Sequence, residues 1–274
     1  MGFQSRKGRG RMASIRLAAS NIGWTAGDDE RVWGLMKRLG YTGLEIAPTR
    51  VFPERPYDHL NGAALFAGVM YQKYGFVIPS MQSIWYGQEG NIFEPEQAKT
   101  LEEYTVQALG FAQSCRCPSL VFGCPRNRAV PAGHSEAEAE GFFARLACQA
   151  AQQGAVIALE ANPPVYNTNY LNTTRQALAL VKKLALPGLA VNLDVGAMLY
   201  NGEQVADLAN SLQYVSHIHI SEPDLAPIER RPLHRQLALL LGAVGYKGFV
   251  SVEMKTSDYS TVERSLTYVA EVFA

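Results

Sequence analysis

The chain has 274 residues, 47% of them hydrophobic, enough for a sizeable core, and its 25 basic and 25 acidic residues cancel. A balanced charge excludes the basic footprint on which nucleic-acid binding depends. No run approaches the roughly 18 apolar residues a membrane-spanning helix needs, so no membrane partner is expected.

From the N-terminus, Arg6, Lys7, Arg9 and Arg11 form a local basic cluster. Residues 1–13 are expected to be a disordered basic leader, with Met12 as an alternative start, and residues 14–274 the folded body. No apolar stretch follows the leader's charges, so it is not a secretory signal. Cys115, Cys117, Cys124 and Cys148 show no CxxC spacing and are read as buried thiols of a cytoplasmic protein.

Eight β-rich runs then follow: 15–20, 43–47, 77–82, 119–123, 156–161, 189–195, 215–221 and 248–254. Between them lie stretches with helical spacing, among them 29–39, 95–114, 135–153 and 174–184. Ser135 with Glu138, and Thr173 before the last of these, are helix-start signals. Gly closes the apolar-periodic run in both KRLGYTGLEI and AVGYKGFVSV, and the likeness of these two segments suggests a repeated βα unit. Eight such units in one domain predict a (β/α)₈ TIM barrel, a fold that typically takes about 250 residues. A doubly wound sheet is the fallback, but no glycine-rich phosphate loop follows any strand.

In such a barrel the reacting groups sit at the C-terminal ends of the strands. Four of the last strands end in metal-binding side chains: Glu160, Asp194, His219 and Glu253, spaced 34, 25 and 34 positions apart. Three carboxylates converging with one imidazole would repel one another without a cation. The set suits one divalent ion of the Mn²⁺, Mg²⁺ or Co²⁺ type better than a thiolate-selective metal. His217 lies two positions before His219 on the same face of its strand and is read as lying behind it or filling a layer. Glu222, just past that strand, is a candidate substrate contact. Arg126 and Arg128 follow the fourth run and would suit a phosphate or carboxylate. Trp24, Gln82 and Trp85 fall in loops that could wall a sugar pocket, and Lys255 shares the face of Glu253. Asn162 and Asn192 either orient ligands or cap strands. His134 and His234 fall in helical segments away from the rim and are read as surface residues.

The motifs IALEAN, NLDVGAM, HIHISE and SVEMK resemble strands of the xylose-isomerase-like barrel superfamily. Within it the chain is similar to the sugar phosphate isomerase/epimerase group, which includes ketose 3-epimerases, hydroxypyruvate isomerases and inosose dehydratases. The stretch GYTGLEIAP resembles that group's second strand, with Glu45 at its end and His217 as further candidate substrate contacts, and the likeness covers residues 14–273. The resemblance implies one divalent ion, most often Mn²⁺, on Glu160, Asp194, His219 and Glu253. It also implies that Glu160 and Glu253 act as the acid/base pair on a keto-sugar or sugar phosphate, through an enediolate. Dehydration of a keto-cyclitol would use the same chemistry. Two departures from the ketose 3-epimerases stand out: Ala197 where they carry histidine, and Leu225 where they carry arginine. An apurinic endonuclease-like nuclease would need several more histidines, and a non-catalytic sugar-binding subunit has little use for two flanking glutamates. The expected partner is a small carbohydrate; barrels of this kind often pair, which leaves a homodimer open.

Overall fold

The computed structural model describes residues 15–274, so the leader expected at 1–13 lies outside the described residues. The first half runs β1 (Arg16–Ser20), α1 (Asp29–Arg38), β2 (Gly43–Glu45), α2 (Pro48–Val51), α3 (Leu60–Tyr74), α4 (Pro95–Ser114), β3 (Ser119–Phe122) and α5 (Ala139–Gln152). The second half continues with β4 (Val156–Glu160), α6 (Thr174–Leu184), β5 (Leu189–Asp194), α7 (Val195–Asn201), β6 (Val215–Ile220), α8 (Pro232–Val244), β7 (Phe249–Val252) and α9 (Tyr259–Phe273).

The seven strands form one parallel sheet in the order β2-β1-β7-β6-β5-β4-β3. Parallel strands covered by crossover helices read as near-continuous apolar runs, which is what Leu189–Leu193 and Leu120–Phe122 are. The run expected as a strand at 77–82 makes isolated bridges instead of a ladder. Val77 pairs with Gly43, while Met81 pairs with both Ile46 and Leu120, so the run touches the two edge strands. Pro79 stands in its middle without an N–H to donate, which is why the pairing is interrupted.

Local signals set the helix ends. Thr173 and Gln176 form a reciprocal capping box at the start of α6, and Ser135 with Glu138 forms another on the turn leading into α5. Gly245 ends α8 with φ 65°, a conformation that costs a glycine little. Aromatic rings at the sheet–helix boundary meet edge to face: Trp85 on Phe122 and Phe142, and Phe122 on Phe143.

Two expectations about buried and surface residues are corrected. His234 is completely buried, with Nδ1 3.1 Å from the Tyr268 hydroxyl, because it lies on the inward face of α8. Cys148 is exposed on α5 and Cys124 is half-buried, whereas Cys115 and Cys117 are interior as expected. No helix among the described residues is long and apolar enough to cross a membrane.

Candidate active site

Register brings the polar strand ends together. Glu160 pairs with Asn192, Asp194 with His219, and His219 with Ser251, so neighbouring strands deliver these side chains at matching heights. Glu160, Asp194, His219 and Glu253 each offer a ligand atom, and these atoms lie within 4.8 Å of one another. The centre of the cluster is His219 Nδ1, 3.1 Å from Glu253 Oε2, 3.2 Å from Glu160 Oε2 and 4.0 Å from Asp194 Oδ2.

Each carboxylate is held in place by its neighbours. Asn162 and Asn192 donate to the two oxygens of Glu160, at 3.0 and 2.7 Å. Asp194 caps the N-terminus of α7 through the Ala197 amide and accepts from the Ser221 hydroxyl. Gly123 passes close to Glu160: a Cβ there would stand 3.0 Å from Oε1, so the lack of a side chain makes room for the carboxylate.

The electrostatics call for positive charge at this point. Burial, then the charges of Glu160 and Glu253, push the Asp194 carboxyl up to about 7. Burial also raises Glu253. Burial opposes ionisation of Glu160 too, but His219 and the two asparagine amides prevail and hold it low. His219 is held protonated well above its usual range: burial works against the charge, and Glu253 and Glu45 overcome it. Three hard oxygen donors and one imidazole at this spacing fit a divalent cation.

Below the cluster lies a second tier. His219 turns its Nε2 to Glu45 Oε1 at 2.8 Å, and Ser251 donates to Glu45 Oε2 at 2.7 Å. Glu45 and His217 are buried, with His217 Nε2 3.4 Å from the same Glu45 oxygen. Glu45 accepting from Nε2 leaves Nδ1 facing the cluster, where a cation taking the place of the Nδ1 proton would find the neutral tautomer already fixed.

Above the cluster opens a cavity of about 230 Å³ whose lining includes Glu160, Asp194, Glu253, Gln82, Tyr166 and Leu225. Ser83, Cys124 and Leu225 on its wall all hold left-handed backbone, at φ 55°, 39° and 52°. Non-glycine residues adopt this region rarely, and such conformations cluster at functional sites. A larger cavity of about 600 Å³ lies outside, between α6 and the segment near Glu203, away from every residue of the cluster.

The other candidate residues are dispersed. Gln82 lines the cavity and donates to Ser20 Oγ at 3.1 Å. Glu222 lines it too, but Arg231 Nε grips both its oxygens at 2.8 Å. Glu45 and His217 sit in the tier below, not in contact with the cavity. Trp24 is buried and donates to Asp29 at 2.8 Å, and Trp85 is buried and donates to Thr105 at 2.8 Å; neither walls the cavity. Arg126 and Lys255 are exposed and outside the lining. Arg128, expected at the mouth for an anion, is instead fully buried. Its guanidinium donates to the carbonyls of Phe122, Glu160, Tyr170 and Leu171 and to Asn162 Oδ1.

Sequence reasoning missed Ser251, Ser221, Tyr166 and Arg231. Ser251 had a signal, since it lies two before Glu253 and shares its face. Arg231 is nine residues from Glu222 with nothing in the sequence to connect them.

No curated relative matches the chain by sequence. Solved structures match it in fold, at identities too low to show more than that. A 3-keto-D-glucoside 4-epimerase from E. coli superimposes with a TM-score of 0.75 at 15% identity, over 94% of this chain and 99% of that one. A D-psicose 3-epimerase with D-tagatose from Clostridium cellulolyticum H10 gives 0.73 at 14% identity, over 94% and 99%. A family 2 AP endonuclease from Brucella melitensis gives 0.72 at 20% identity, over 95% and 100%. A family model matches residues 33–271, most of the chain, and by that match the protein belongs to the xylose isomerase-like TIM barrel family.

Proposed function

We propose that this protein is a divalent-metal-dependent epimerase or isomerase of keto-sugars, built on an eight-stranded barrel whose eighth position is the bridged run 77–82. The observation that carries the reading is the convergence of three carboxylates and His219 Nδ1 within 4.8 Å at the floor of a small cavity. The keto-sugar epimerases among the structures of similar fold support it.

Glu160, Asp194, His219 and Glu253 would hold the ion, with Mn²⁺ preferred and Mg²⁺ or Co²⁺ as alternatives. Such an ion supplies Lewis acidity towards the oxygens of an α-hydroxyketone. Glu160 and Glu253 then serve as the acid/base pair for the proton on the carbon beside the carbonyl. Their environments differ as a working pair requires: Asn162 and Asn192 stabilise Glu160 as the carboxylate, while burial favours a proton on Glu253. Return of the proton to the opposite face inverts the centre; return to the neighbouring carbon isomerises.

The nuclease reading fits less well. A single histidine joins this cluster, and no Lys or Arg among the described residues lines the cavity.

Metal analysis of the purified protein, with Asp194→Ala and His219→Ala, tests the ion site. One ion per chain, lost in both variants, is the expected result. Deuterium exchange from solvent into a ketose, abolished in Glu253→Gln, tests the chemistry; wild-type exchange in that variant would overturn the acid/base role.

A further inference from the structure

We infer that the cavity selects an uncharged keto-sugar with one apolar end, such as a deoxy sugar or a glycoside, and rejects sugar phosphates and sugar acids. The inference rests on the proposed sugar chemistry and narrows its substrate class.

The charge of the lining comes first. Glu160, Asp194, Glu222 and Glu253 face the cavity, and no Lys, Arg or His among the described residues lines it. A divalent ion would still leave its three carboxylate ligands one negative charge in excess. Neighbouring arginines are committed elsewhere. Arg128 spends its donors on buried carbonyls and Asn162. Arg231 is closed onto Glu222 and Glu229. An anionic substituent placed here would lose its hydration without gaining a counter-charge.

The apolar part of the lining comes second. Leu225, Tyr166, Pro163, Pro125 and Cys124 stand around the cavity beside the carboxylates. Leu225 is fixed there: its amide donates to the Glu222 carbonyl at 3.0 Å, and its own carbonyl accepts from the Lys255 amide at 2.8 Å. The adjoining Asp224 amide donates to the Tyr166 hydroxyl at 3.0 Å, tying this loop to the turn that carries Tyr166. Asp224 and Leu225 both carry positive φ, at 59° and 52°, and these three bonds hold that strained pair. The loop therefore presents an apolar side chain on a rigid backbone, which a hydroxyl or phosphate would have to desolvate against.

Three ketoses that differ only at the sixth carbon provide the test: 6-deoxy-D-fructose, D-fructose and D-fructose 6-phosphate. Calorimetric binding to the Mn²⁺-loaded protein and deuterium exchange are measured for each. The deoxy sugar should bind about tenfold tighter than fructose. The phosphate should bind at least about 100-fold more weakly than fructose. In Leu225→Arg the phosphate should gain at least about tenfold and the deoxy sugar lose its lead. A phosphate that binds wild-type protein as well as fructose overturns the inference, as does an unchanged order in Leu225→Arg. The expected binding order without exchange would sink the enzymatic reading and leave the selectivity standing. Exchange with the order reversed does the opposite, and no binding by any of the three removes both.

Discussion

Replacing Arg128 with methionine should cost about 3 kcal/mol of stability, because a buried cation here holds main-chain carbonyls of strand ends and loops and not an anion. Arg128 has no exposed surface, and burial pulls its guanidinium down to about 10, still charged at neutral pH. It donates five hydrogen bonds, at 2.9 Å to the Glu160 carbonyl and Asn162 Oδ1 and at 3.2–3.3 Å to the carbonyls of Phe122, Tyr170 and Leu171. Each buried acceptor left without a donor costs about 1–3 kcal/mol. Two are partly compensated, since Leu171 also accepts from the Asn162 amide and Tyr170 from the Thr168 hydroxyl. Methionine has similar reach and removes a buried charge, which offsets part of the rest. The balance is about 3 kcal/mol, read as a lowered urea midpoint with an unchanged slope. Because Arg128 anchors Asn162, which in turn holds Glu160, Mn²⁺ binding should weaken in the same variant. A loss under about 1 kcal/mol would refute the staple.

Three further outcomes are expected. His234 is kept neutral by burial and by Arg231, its folded pKa lowered to about 4, so the unfolded chain takes up that proton first as pH falls. Its contribution is complete above about pH 6.5 and lost on the way down to about pH 4. That amounts to about 2 kcal/mol at pH 5, and a His234→Phe variant should show a correspondingly flatter urea midpoint between pH 7.5 and pH 5. Gly188→Ala should destabilise by about 3 kcal/mol in thermal melts, since its Cβ would fall 1.9 Å from the Ala147 carbonyl oxygen and backbone cannot step aside. Glu45→Gln should keep the fold, because an amide still accepts from Ser251, yet weaken Mn²⁺ binding about tenfold in paramagnetic resonance titrations; undiminished affinity would separate Glu45 from the ion site.

Much of this fold is legible from periodicity alone. The runs read at 119–123, 156–161 and 215–221 are strands at Ser119–Phe122, Val156–Glu160 and Val215–Ile220, and the stretch at 174–184 is the helix Thr174–Leu184. Such elements combine a strong apolar period with local punctuation, and tertiary contacts only confirm them. The run at 77–82 reads as a strand by composition, but Pro79 breaks its ladder. Arg128 shows the opposite failure. An arginine in a Gly/Pro-bounded loop suggests solvent or an anion, and nothing local reveals that three carbonyls from two distant segments join that of nearby Phe122 around it.

The candidate site has two tiers, and strand geometry explains why only one of them stands out in the sequence. Side chains two apart on a strand share a face, one above the other. Residues 192 and 194, 217 and 219, and 251 and 253 are such pairs, and in each the outer member is Asp194, His219 or Glu253. The outer members lie at or within one residue of their strand ends, where a metal-ligand pattern is conspicuous. The inner ones, Asn192, His217 and Ser251, look like ordinary polar interruptions of a buried strand. The structure gives them work: Asn192 holds Glu160, and Ser251 with His217 surrounds Glu45 behind His219. The tier is only partly satisfied internally, since the buried Asn192 Oδ1 and His217 Nε2 have no hydrogen-bond partner among the described residues. A substitution in the lower tier therefore reaches the cluster without touching the cavity.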